Sequence, residues 1–315
     1  MKAYVLTGLN RAEALRLQDL PVPELQAGEV LVKTMAIDIN PVDSKTLQGK
    51  GQYPTLQNDA PIVLGWGLSG VVVQTSAEAS AFQVGDEVFG LIRFPGHGRC
   101  YAEFVAVPVS DIARKPANCS HEQAAASTLA TLMAYQALRV AAVRQGERVL
   151  IQGVAGGVGF PALQLAKHYG AYVIGTAAPK DIPFLLANGL DEAIDYTSAD
   201  FEKETNNIDF VLDTLGGENV IKAFRILSAN GRLITIPSGT GDTWKDLAAR
   251  RHIKAQFLFV HSSGEDMQVL ATWLAAGILT PRIAHRFTFR EIPLIHEKMI
   301  SHQLTGKTVV TVESA

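Results

Sequence analysis

The spacing of apolar and polar residues changes once along the chain, near residue 116. Before that point, apolar residues gather in short runs rich in Val, Ile and Phe, and Gly and Pro separate the runs. Gly28 and Gly85 each directly precede such a run, as expected for turns that lead into strands. Strands are predicted over residues 4–6, 29–37, 62–73, 86–92 and 101–107. The N-terminal part is therefore predicted to be a compact, mainly β domain.

After residue 116, longer helical segments alternate with short apolar runs. The runs predict strands over residues 148–152, 172–176, 193–196, 210–213, 232–236 and 255–260. Strands that alternate with helices in this way indicate βαβ units and a doubly wound parallel sheet. Beyond residue 260 the pattern predicts a helix, a strand, a second helix and a last strand, over 264–276, 282–287, 292–302 and 307–312. These elements either extend the parallel sheet or return to the first domain.

Length and composition narrow the class of protein. At about 150 residues per domain, the 315 residues suggest two domains. The 28 basic and 31 acidic residues give a net charge of −3, so neither a basic field nor a nucleic-acid partner is expected. Polar residues interrupt the longest apolar stretch, and the N-terminus lacks a signal peptide's apolar core, so no membrane partner is expected. The two cysteines fit a reducing compartment, which favours the cytoplasm.

The strongest local motif lies at residues 148–167, where a buried strand, a glycine-rich turn and an amphipathic helix follow one another. Glycines allow the backbone to turn tightly and to approach a pyrophosphate, which is bound by the free N–H groups at the start of the helix. A tight turn without a ligand is the alternative. The neighbouring βαβ units favour a dinucleotide site.

The strand after this motif bears on the choice of dinucleotide. NAD binding usually places Asp or Glu about 20 residues after the glycines, where the carboxylate binds the ribose 2′-hydroxyl. Here Thr176 and Lys180 occupy that region, and the strand does not end in an acidic residue. A neutral hydroxyl beside a cation favours the 2′-phosphate of NADP. A solvated surface lysine is the alternative interpretation of Lys180.

Several short motifs occur together in a specific order: Asn40-Pro41-Val42-Asp43, Gly65-Trp66-Gly67, Val84-Gly85-Asp86, Ala155-Gly156-Gly157-Val158-Gly159, Asp213-Thr214-Leu215-Gly216-Gly217 and Gly306-Lys307. With these motifs the sequence resembles the medium-chain dehydrogenase/reductase superfamily, and within it the zinc-independent quinone oxidoreductase group that includes zeta-crystallin. The resemblance implies an α/β protein with two domains. A GroES-like, mainly β domain covers residues 1–120 and is completed by about 262–315, and a Rossmann-type NADP-binding domain covers 121–261. It also implies a cleft between the domains and a homodimer.

The resemblance implies roles for individual residues as well. Asn40 is expected to face the nicotinamide. The expected cofactor contacts are Ala155, Gly156, Gly157 and Val158 at the pyrophosphate, Lys180 and Tyr196 towards the adenosine, Leu215 and Gly216 along the cofactor, and Ile236, Leu258 and Phe259 on the nicotinamide side. Thr176 is added to the cofactor contacts from the strand-end argument above. The sequence departs from the usual pattern at Val154, Met133 and Gly67, where relatives often have a small residue, a Thr and an acidic residue. Each departure could reshape cofactor binding.

The sequence indicates metal binding and acid–base catalysis less strongly than it indicates the dinucleotide site. The zinc-containing relatives hold catalytic zinc at positions that read Asn40, Trp66 and Gly67 here, which do not form such a ligand set, so no metal is predicted. His97, Cys100, Cys119 and His121 could be gathered into a ligand set, but their spacing suits ordinary loop residues better. Tyr53 either donates a hydrogen bond to a substrate oxygen or packs beside Pro54, and Asn40 could instead cap the turn before Pro41.

Taken together, the sequence predicts an NADPH-dependent, zinc-independent oxidoreductase that transfers hydride to a quinone or an α,β-unsaturated carbonyl. Asn40 and Tyr53 are the predicted catalytic residues. The alternatives are a non-catalytic NADPH-binding sensor or structural protein, and a reductase of simple carbonyls. The physiological substrate and any proton donor stay open at this point.

Overall fold

The computed structural model describes residues 1–79, 81–237 and 243–313. The strands are β1 Lys2–Leu6, β2 Leu15–Asp19, β3 Glu29–Ile39, β4 Gly67–Thr75, β5 Glu87–Leu91, β6 Phe104–Pro108, β7 Ile112–Arg114, β8 Arg148–Ile151, β9 Tyr172–Ala177, β10 Glu192–Asp195, β11 Ile208–Asp213, β12 Leu227–Thr235, β13 Lys254–Phe257, β14 Ile283–Thr288 and β15 Lys307–Thr311. The α-helices are α1 Pro41–Leu47, α2 Tyr53–Leu56, α3 His121–Ala126, α4 Leu129–Ala141, α5 Gly159–His168, α6 Ile182–Ala187, α7 Phe201–Glu204, α8 Glu218–Ile226, α9 Thr243–Arg251, α10 Gly264–Ala275 and α11 Ile292–Ile300.

The chain forms two compact units. The first contains Met1–Leu132 together with Val260–Ala315, and the second contains Met133–Phe259. The sequence analysis expected boundaries near residues 120 and 261. In the structure, the first boundary falls within α4.

The first unit is built on a mixed sheet with the strand order β14-β15-β3-β4-β5-β7, and β6 pairs with the other half of β3. Strands β1 and β2 form a separate antiparallel ribbon. The last strand, β15, runs antiparallel to β3 and places Thr308 beside Ile39. The segment beyond residue 260 therefore returns to the first unit, which is one of the two paths that the sequence left open.

The second unit is a parallel sheet with the order β10-β9-β8-β11-β12-β13. This is the doubly wound order in which β8 and β11, at the centre, lead into helices on opposite sides of the sheet. Ligands of such sheets bind beyond the carboxyl ends of the strands at this switch point. The predicted glycine-rich turn directly follows β8, and the turn at residues 214–217 directly follows β11.

Most predicted strands lie within one to five residues of their observed bounds, and the predicted α/β fold class is confirmed. Strands β2 and β7 and helices α1 and α2 were not predicted. Four of the five residues of β2 are exposed, and only Leu15 and Leu17 alternate with polar residues, which is too short a pattern to predict a strand. Among the described residues, every helix is too short or too polar to cross a membrane.

Candidate functional site

The turn between β8 and α5 depends on glycine at two positions. Gly153 has a φ of +68°, a backbone conformation that other residues rarely adopt. A Cβ atom on Gly159 would lie 2.3 Å from the Gly153 carbonyl oxygen and 2.7 Å from the Cα of Val154. The chain can therefore fold back on itself here only without a side chain at residue 159. This close turn brings the first turn of α5 next to the end of β8.

Two hydrogen bonds connect the turn to the neighbouring strand β9. The Gly153 N–H donates to Oγ1 of Thr176 at 2.9 Å, and the Val154 N–H donates to the Thr176 carbonyl at 3.1 Å. Thr176 is only 3% exposed. Its hydroxyl oxygen thus supports the turn by accepting one of its N–H groups.

Val154, the first departure from the family pattern, is completely buried. A Cβ on Gly175 would lie 2.5 Å from Cγ1 of Val154, so the valine fills the space that this glycine leaves open on β9. Its side chain packs into the protein beneath the turn. The larger residue is therefore accommodated by the neighbouring strand.

The backbone amides of the turn fit an anion. The N–H groups of Ala155, Gly157 and Val158 donate to no group within the described part of the chain, whereas the Gly156 N–H donates to the Gly153 carbonyl at 2.9 Å. All four residues are at least partly exposed, and α5 starts directly after them. Free amides at the start of a ten-residue helix have the geometry and partial charge that bind a phosphate. The turn therefore fits the pyrophosphate of a dinucleotide.

Two predicted adenosine contacts follow β9 and β10. Lys180 is exposed in the single turn Pro179–Asp181 after β9, and Tyr196 is 59% exposed directly after β10. The residues that end and follow β9 are Ala177, Ala178 and Pro179, which carry no charge. A cation and an aromatic ring thus lie at the carboxyl ends of adjacent strands.

A buried carboxylate organises the turn after β11. Oδ1 of Asp213 accepts the N–H groups of Leu215 at 3.1 Å and of Gly216 at 2.9 Å, and its Oδ2 accepts the Thr235 hydroxyl at 2.6 Å. The Leu215 side chain is left 53% exposed. Asp213 was not singled out as a site residue in the sequence, although its position at a strand end before Gly-Gly was a usable signal.

The remaining predicted cofactor residues lie at the ends of β12 and β13. The Ile236 N–H donates to the Asp213 carbonyl at 3.1 Å, and the Leu258 N–H donates to the Thr235 carbonyl at 3.0 Å. Phe259 is 42% exposed, and its ring centroid lies 6.2 Å from that of Phe257. All cofactor residues predicted in this unit therefore lie at or beyond the carboxyl ends of its strands.

In the first unit, Asn40 lies between β3 and α1 and is nearly buried. Its backbone N–H donates to Oδ2 of Asp43 at 2.7 Å. Its side-chain Nδ2 donates to Oδ2 of Asp38 at 2.9 Å, and its Oδ1 accepts from Nζ of Lys307 at 2.8 Å. Lys307 and Asp38 also form an ion pair, and the Thr128 hydroxyl donates to Asp38 at 2.9 Å. The side-chain amide of Asn40 is thus part of a buried charged cluster, which the sequence analysis did not find.

Two further titratable side chains, Asp43 and His296, are buried near this cluster. Burial raises the pKa of Asp43 from its ordinary value of 3.8 to about 7. Burial also lowers the pKa of His296 to about 4, so this ring is neutral near pH 7. Its Nε2 lies 3.1 Å from the Tyr101 hydroxyl and its Nδ1 lies 3.0 Å from the Ser44 hydroxyl. Both ring nitrogens are occupied, which indicates that His296 links α11 to α1.

The second predicted catalytic residue, Tyr53, begins the short helix α2 and is partly exposed. Its hydroxyl makes no hydrogen bond with the residues that the structure describes. A free phenol of this kind can donate to a ligand.

The alternative metal set is engaged in other contacts. Nε2 of His97 lies 3.1 Å from the Val63 carbonyl oxygen, and Nδ1 of His121 lies 2.8 Å from the Ser69 hydroxyl. Within residues 1–79, 81–237 and 243–313, no three His, Cys, Asp or Glu side chains are arranged to hold a metal ion.

Two protein families match parts of the chain. Residues 26–117 match the alcohol dehydrogenase GroES-like domain, and residues 188–310 match the family described as zinc-binding dehydrogenase. These matches confirm the GroES-like and dehydrogenase architecture of the predicted fold.

Relatives of known activity extend over nearly the whole chain. The 2-methylene-furan-3-one reductase of Solanum lycopersicum is 32% identical over 98% of this chain and 79% of its own length. The chloroplastic NADPH-dependent alkenal/one oxidoreductase of Arabidopsis thaliana is 30% identical, with the same coverages of 98% and 79%. The solved structure of the quinone oxidoreductase from Coxiella burnetii has a TM-score of 0.93 and 34% identity over 99% of both chains. The chain therefore belongs to the medium-chain dehydrogenase/reductase superfamily, in its quinone oxidoreductase group.

Proposed function

We propose that this protein is an NADPH-dependent oxidoreductase that transfers hydride to a quinone or an α,β-unsaturated carbonyl. The observation that carries the proposal is the set of free amides at Ala155, Gly157 and Val158, at the carboxyl edge of a doubly wound sheet. The names of the relatives support the reaction class, since one is an alkenal/one oxidoreductase and another is a quinone oxidoreductase. A nicotinamide cofactor fits both observations.

The chain's own residues would bind and orient this cofactor. The free amides and the start of α5 would hold the pyrophosphate, and the exposed side chains of Leu215 and Phe259 would line its path. When bound, the cofactor supplies the hydride. The protein would supply position and exclude water from the reacting groups.

We propose a preference for NADPH over NADH. Lys180 is exposed, and Ala177, Ala178 and Pro179, which end and follow β9, carry no negative charge that would repel a 2′-phosphate. A charge-assisted contact of this kind contributes about 1.5–3 kcal/mol, which is roughly ten- to a hundredfold in affinity. Lys180→Ala should remove most of the preference and leave NADH binding nearly unchanged. Lys203→Ala, an exposed lysine on α7, is the matched control, and equal affinity of the parent for both cofactors would contradict the proposal.

A conjugated acceptor suits the zinc-independent reaction that we propose. Hydride added to the β-carbon of an enone leaves an enolate, and hydride added to a quinone leaves a hydroquinone anion, so the acceptor itself spreads the charge. Correct positioning of the two reactants can contribute about 7–11 kcal/mol. Asn40 would face the reacting groups, and the free hydroxyl of Tyr53 would tune the rate.

We propose that activity does not need zinc. The family resemblance places the catalytic zinc ligands of zinc-containing relatives at positions that read Asn40, Trp66 and Gly67 here, and these three side chains do not form a zinc ligand set. Elemental analysis of the purified protein should find no stoichiometric zinc, and activity should persist in chelator. One tightly held zinc per chain would contradict this proposal.

We propose a homodimer in the cytoplasm. β13 is the last strand of the second unit's sheet, so one of its edges has no partner strand among the described residues, and Phe257 on it is exposed. Such an edge pairs readily with a second copy. Light scattering should give twice the chain mass of 33.9 kDa, and a monomer at micromolar concentration would exclude the dimer. The free cysteines Cys100 and Cys119 support a reducing location.

The decisive test of the proposed activity is steady oxidation of NADPH with a panel of quinones and enals. Turnover with at least one acceptor class is expected. NADPH binding without turnover with any acceptor would instead support a sensor or a structural protein.

A further inference from the structure

We propose that Asp38 and Lys307 are positioning residues that fix the side-chain amide of Asn40 in one orientation, with one N–H left for the substrate. This inference rests on the proposed function, in which Asn40 faces the reacting groups. It adds two residues to the site and assigns Asn40 a defined chemical role, that of a hydrogen-bond donor.

The chemistry of the two partners dictates the orientation of the amide. The Lys307 ammonium can only donate, so it can bond only to Oδ1 of Asn40, which lies 2.8 Å away. An ionised Asp38 carboxylate can only accept, so it can bond only to Nδ2, at 2.9 Å. Rotation of the amide by 180° would bring a donor against a donor and an acceptor against an acceptor. The ion pair between Asp38 and Lys307 therefore excludes the flipped amide.

A glycine on the neighbouring strand β4 leaves room for the cluster. Asp38 lies opposite Gly67 in the pairing of β3 with β4. A Cβ on Gly67 would lie 2.8 Å from the Cβ of Asp38 and 2.2 Å from the Thr128 hydroxyl oxygen. Glycine at this position leaves the volume in which the Asp38 carboxylate and Thr128 meet. Asp38 is fully buried and Lys307 is 7% exposed, so water screens the pair only weakly.

One hydrogen of the amide is left unused. Nδ2 of Asn40 carries two hydrogens, and only the bond to Asp38 is made within the described residues. The second hydrogen is the part of this side chain that can bond to a ligand oxygen. Lys307 withdraws charge from Oδ1 and so strengthens Nδ2 as a donor. A donor held in this way stabilises negative charge that develops on an oxygen when hydride is transferred.

The backbone of Asn40 is fixed as well. Its N–H is held by the Asp43 carboxylate at the start of α1, and Pro41 begins that helix. With the backbone and both ends of the amide held, the remaining N–H points in one direction. This is the preorganisation that a donor to a transition state requires.

The first arm of the test is kinetic. The main variant is Asp38→Asn/Lys307→Met, which removes both charges together and so avoids leaving one charge buried alone. We expect its kcat with NADPH and a quinone or enal to fall at least about tenfold, within the range for a misplaced or lost oxyanion donor. The Kd for NADPH should stay within about twofold of the parent, because the pair holds a donor rather than the cofactor. Lys222→Met/Asp200→Asn removes another ion pair, on the second unit and outside the predicted cofactor residues, and should leave kcat unchanged.

The second arm separates positioning from a purely structural role. In the Asn40→Ala background, the same double substitution should lower kcat less than about twofold further, since the group that it positions is already gone. Lys307→Arg should retain much of kcat. An unchanged kcat in the double variant, or an equal loss with and without Asn40, would overturn the inference.

The third arm does not need turnover. In the free protein labelled with ¹⁵N-Asn, one Nδ2 proton of Asn40 should resonate downfield because it is bonded to a carboxylate. The signal is assigned with Asn40→Ala and should move to the ordinary range in Asp38→Asn/Lys307→Met. An ordinary shift in the parent would overturn the inference. A downfield shift in a protein that oxidises no NADPH with any acceptor would leave the amide geometry standing and remove the proposed function instead.

Discussion

A single methyl group added beneath the glycine-rich turn should destabilise the second unit. Gly175→Ala places a Cβ 2.5 Å from Cγ1 and 2.8 Å from the Cβ of Val154, and 3.0 Å from Cδ1 of Leu190. Contacts below 3.0 Å are too short for carbon atoms, so the valine must move. Val154 cannot move freely, because its N–H is bonded to the Thr176 carbonyl at 3.1 Å and its side chain is completely buried.

The size of the expected destabilisation follows from how tightly these residues pack. Overfilling a well-packed core costs about 1–3 kcal/mol, and we expect Gly175→Ala to fall in the upper half of this range. Val154→Ala alone removes two buried methyl groups and should cost about 2 kcal/mol, from about 0.8 kcal/mol per group and a cavity contribution. In the double variant, the new methyl group enters the space that the valine has vacated. Its cost should therefore lie at least about 1 kcal/mol below the sum of the single costs.

Urea unfolding of the four proteins gives these free energies. Gly8→Ala is the matched control, since its Cβ would lie at an ordinary 3.6 Å from the Cβ of Ala14. The affinity for NADPH should fall in Gly175→Ala and recover in the double variant, because the displaced valine belongs to the turn. Additive costs, within about 0.5 kcal/mol, would refute the claim that Val154 and Gly175 share one space.

Three further predictions concern the buried polar groups. The pKa of Asp43 is about 7 in the folded protein against an ordinary 3.8. The parent should therefore lose stability relative to Asp43→Asn as the pH rises from about 4 to about 7, with no further loss above pH 7. Urea unfolding at several pH values measures this difference. Thr176→Val leaves the Gly153 N–H without its partner and should lower the free energy of unfolding by about 1–3 kcal/mol and weaken NADPH binding. Unfolding and titration measure the two effects, and unchanged values would show that the hydroxyl does not support the turn. Lys307→Met leaves the Asp38 carboxylate buried without its counter-ion and should cost about 3–5 kcal/mol in unfolding experiments, with a smaller loss when Asp38→Asn is added; equal losses would contradict the pairing.

The elements that sequence patterns predicted best are those with one dominant physical signal. Buried strands such as β8 and β11 are short apolar runs, and the turn after β8 needs glycine for steric reasons that are visible in the sequence itself. β2 was missed because its apolar residues, Leu15 and Leu17, form too short a pattern and four of its five residues are exposed. Helix α1 was missed because it is short and begins at Pro41, which reads as a turn.

The site was predictable only where a local motif carries it. The free amides of the turn follow from its glycines, but the position of Thr176 depends on which side of β9 faces the turn. Asp38 and Lys307 are far apart in the chain and meet because β15 pairs with β3. Lys307 was visible only as part of a motif, and an Asp inside an apolar strand gave no indication of its partner. Contacts of this kind depend on strand order, which local patterns do not determine.

The most direct test of the proposed reaction compares an enal with the saturated aldehyde of the same chain length. Both are offered with NADPH, and kcat/KM is measured for each under identical conditions. We predict that the enal is reduced at least about a hundredfold more efficiently, because its conjugation spreads the charge that a saturated carbonyl would concentrate on one oxygen. A higher kcat/KM for the saturated aldehyde would contradict the proposed mechanism and support a reductase of simple carbonyls.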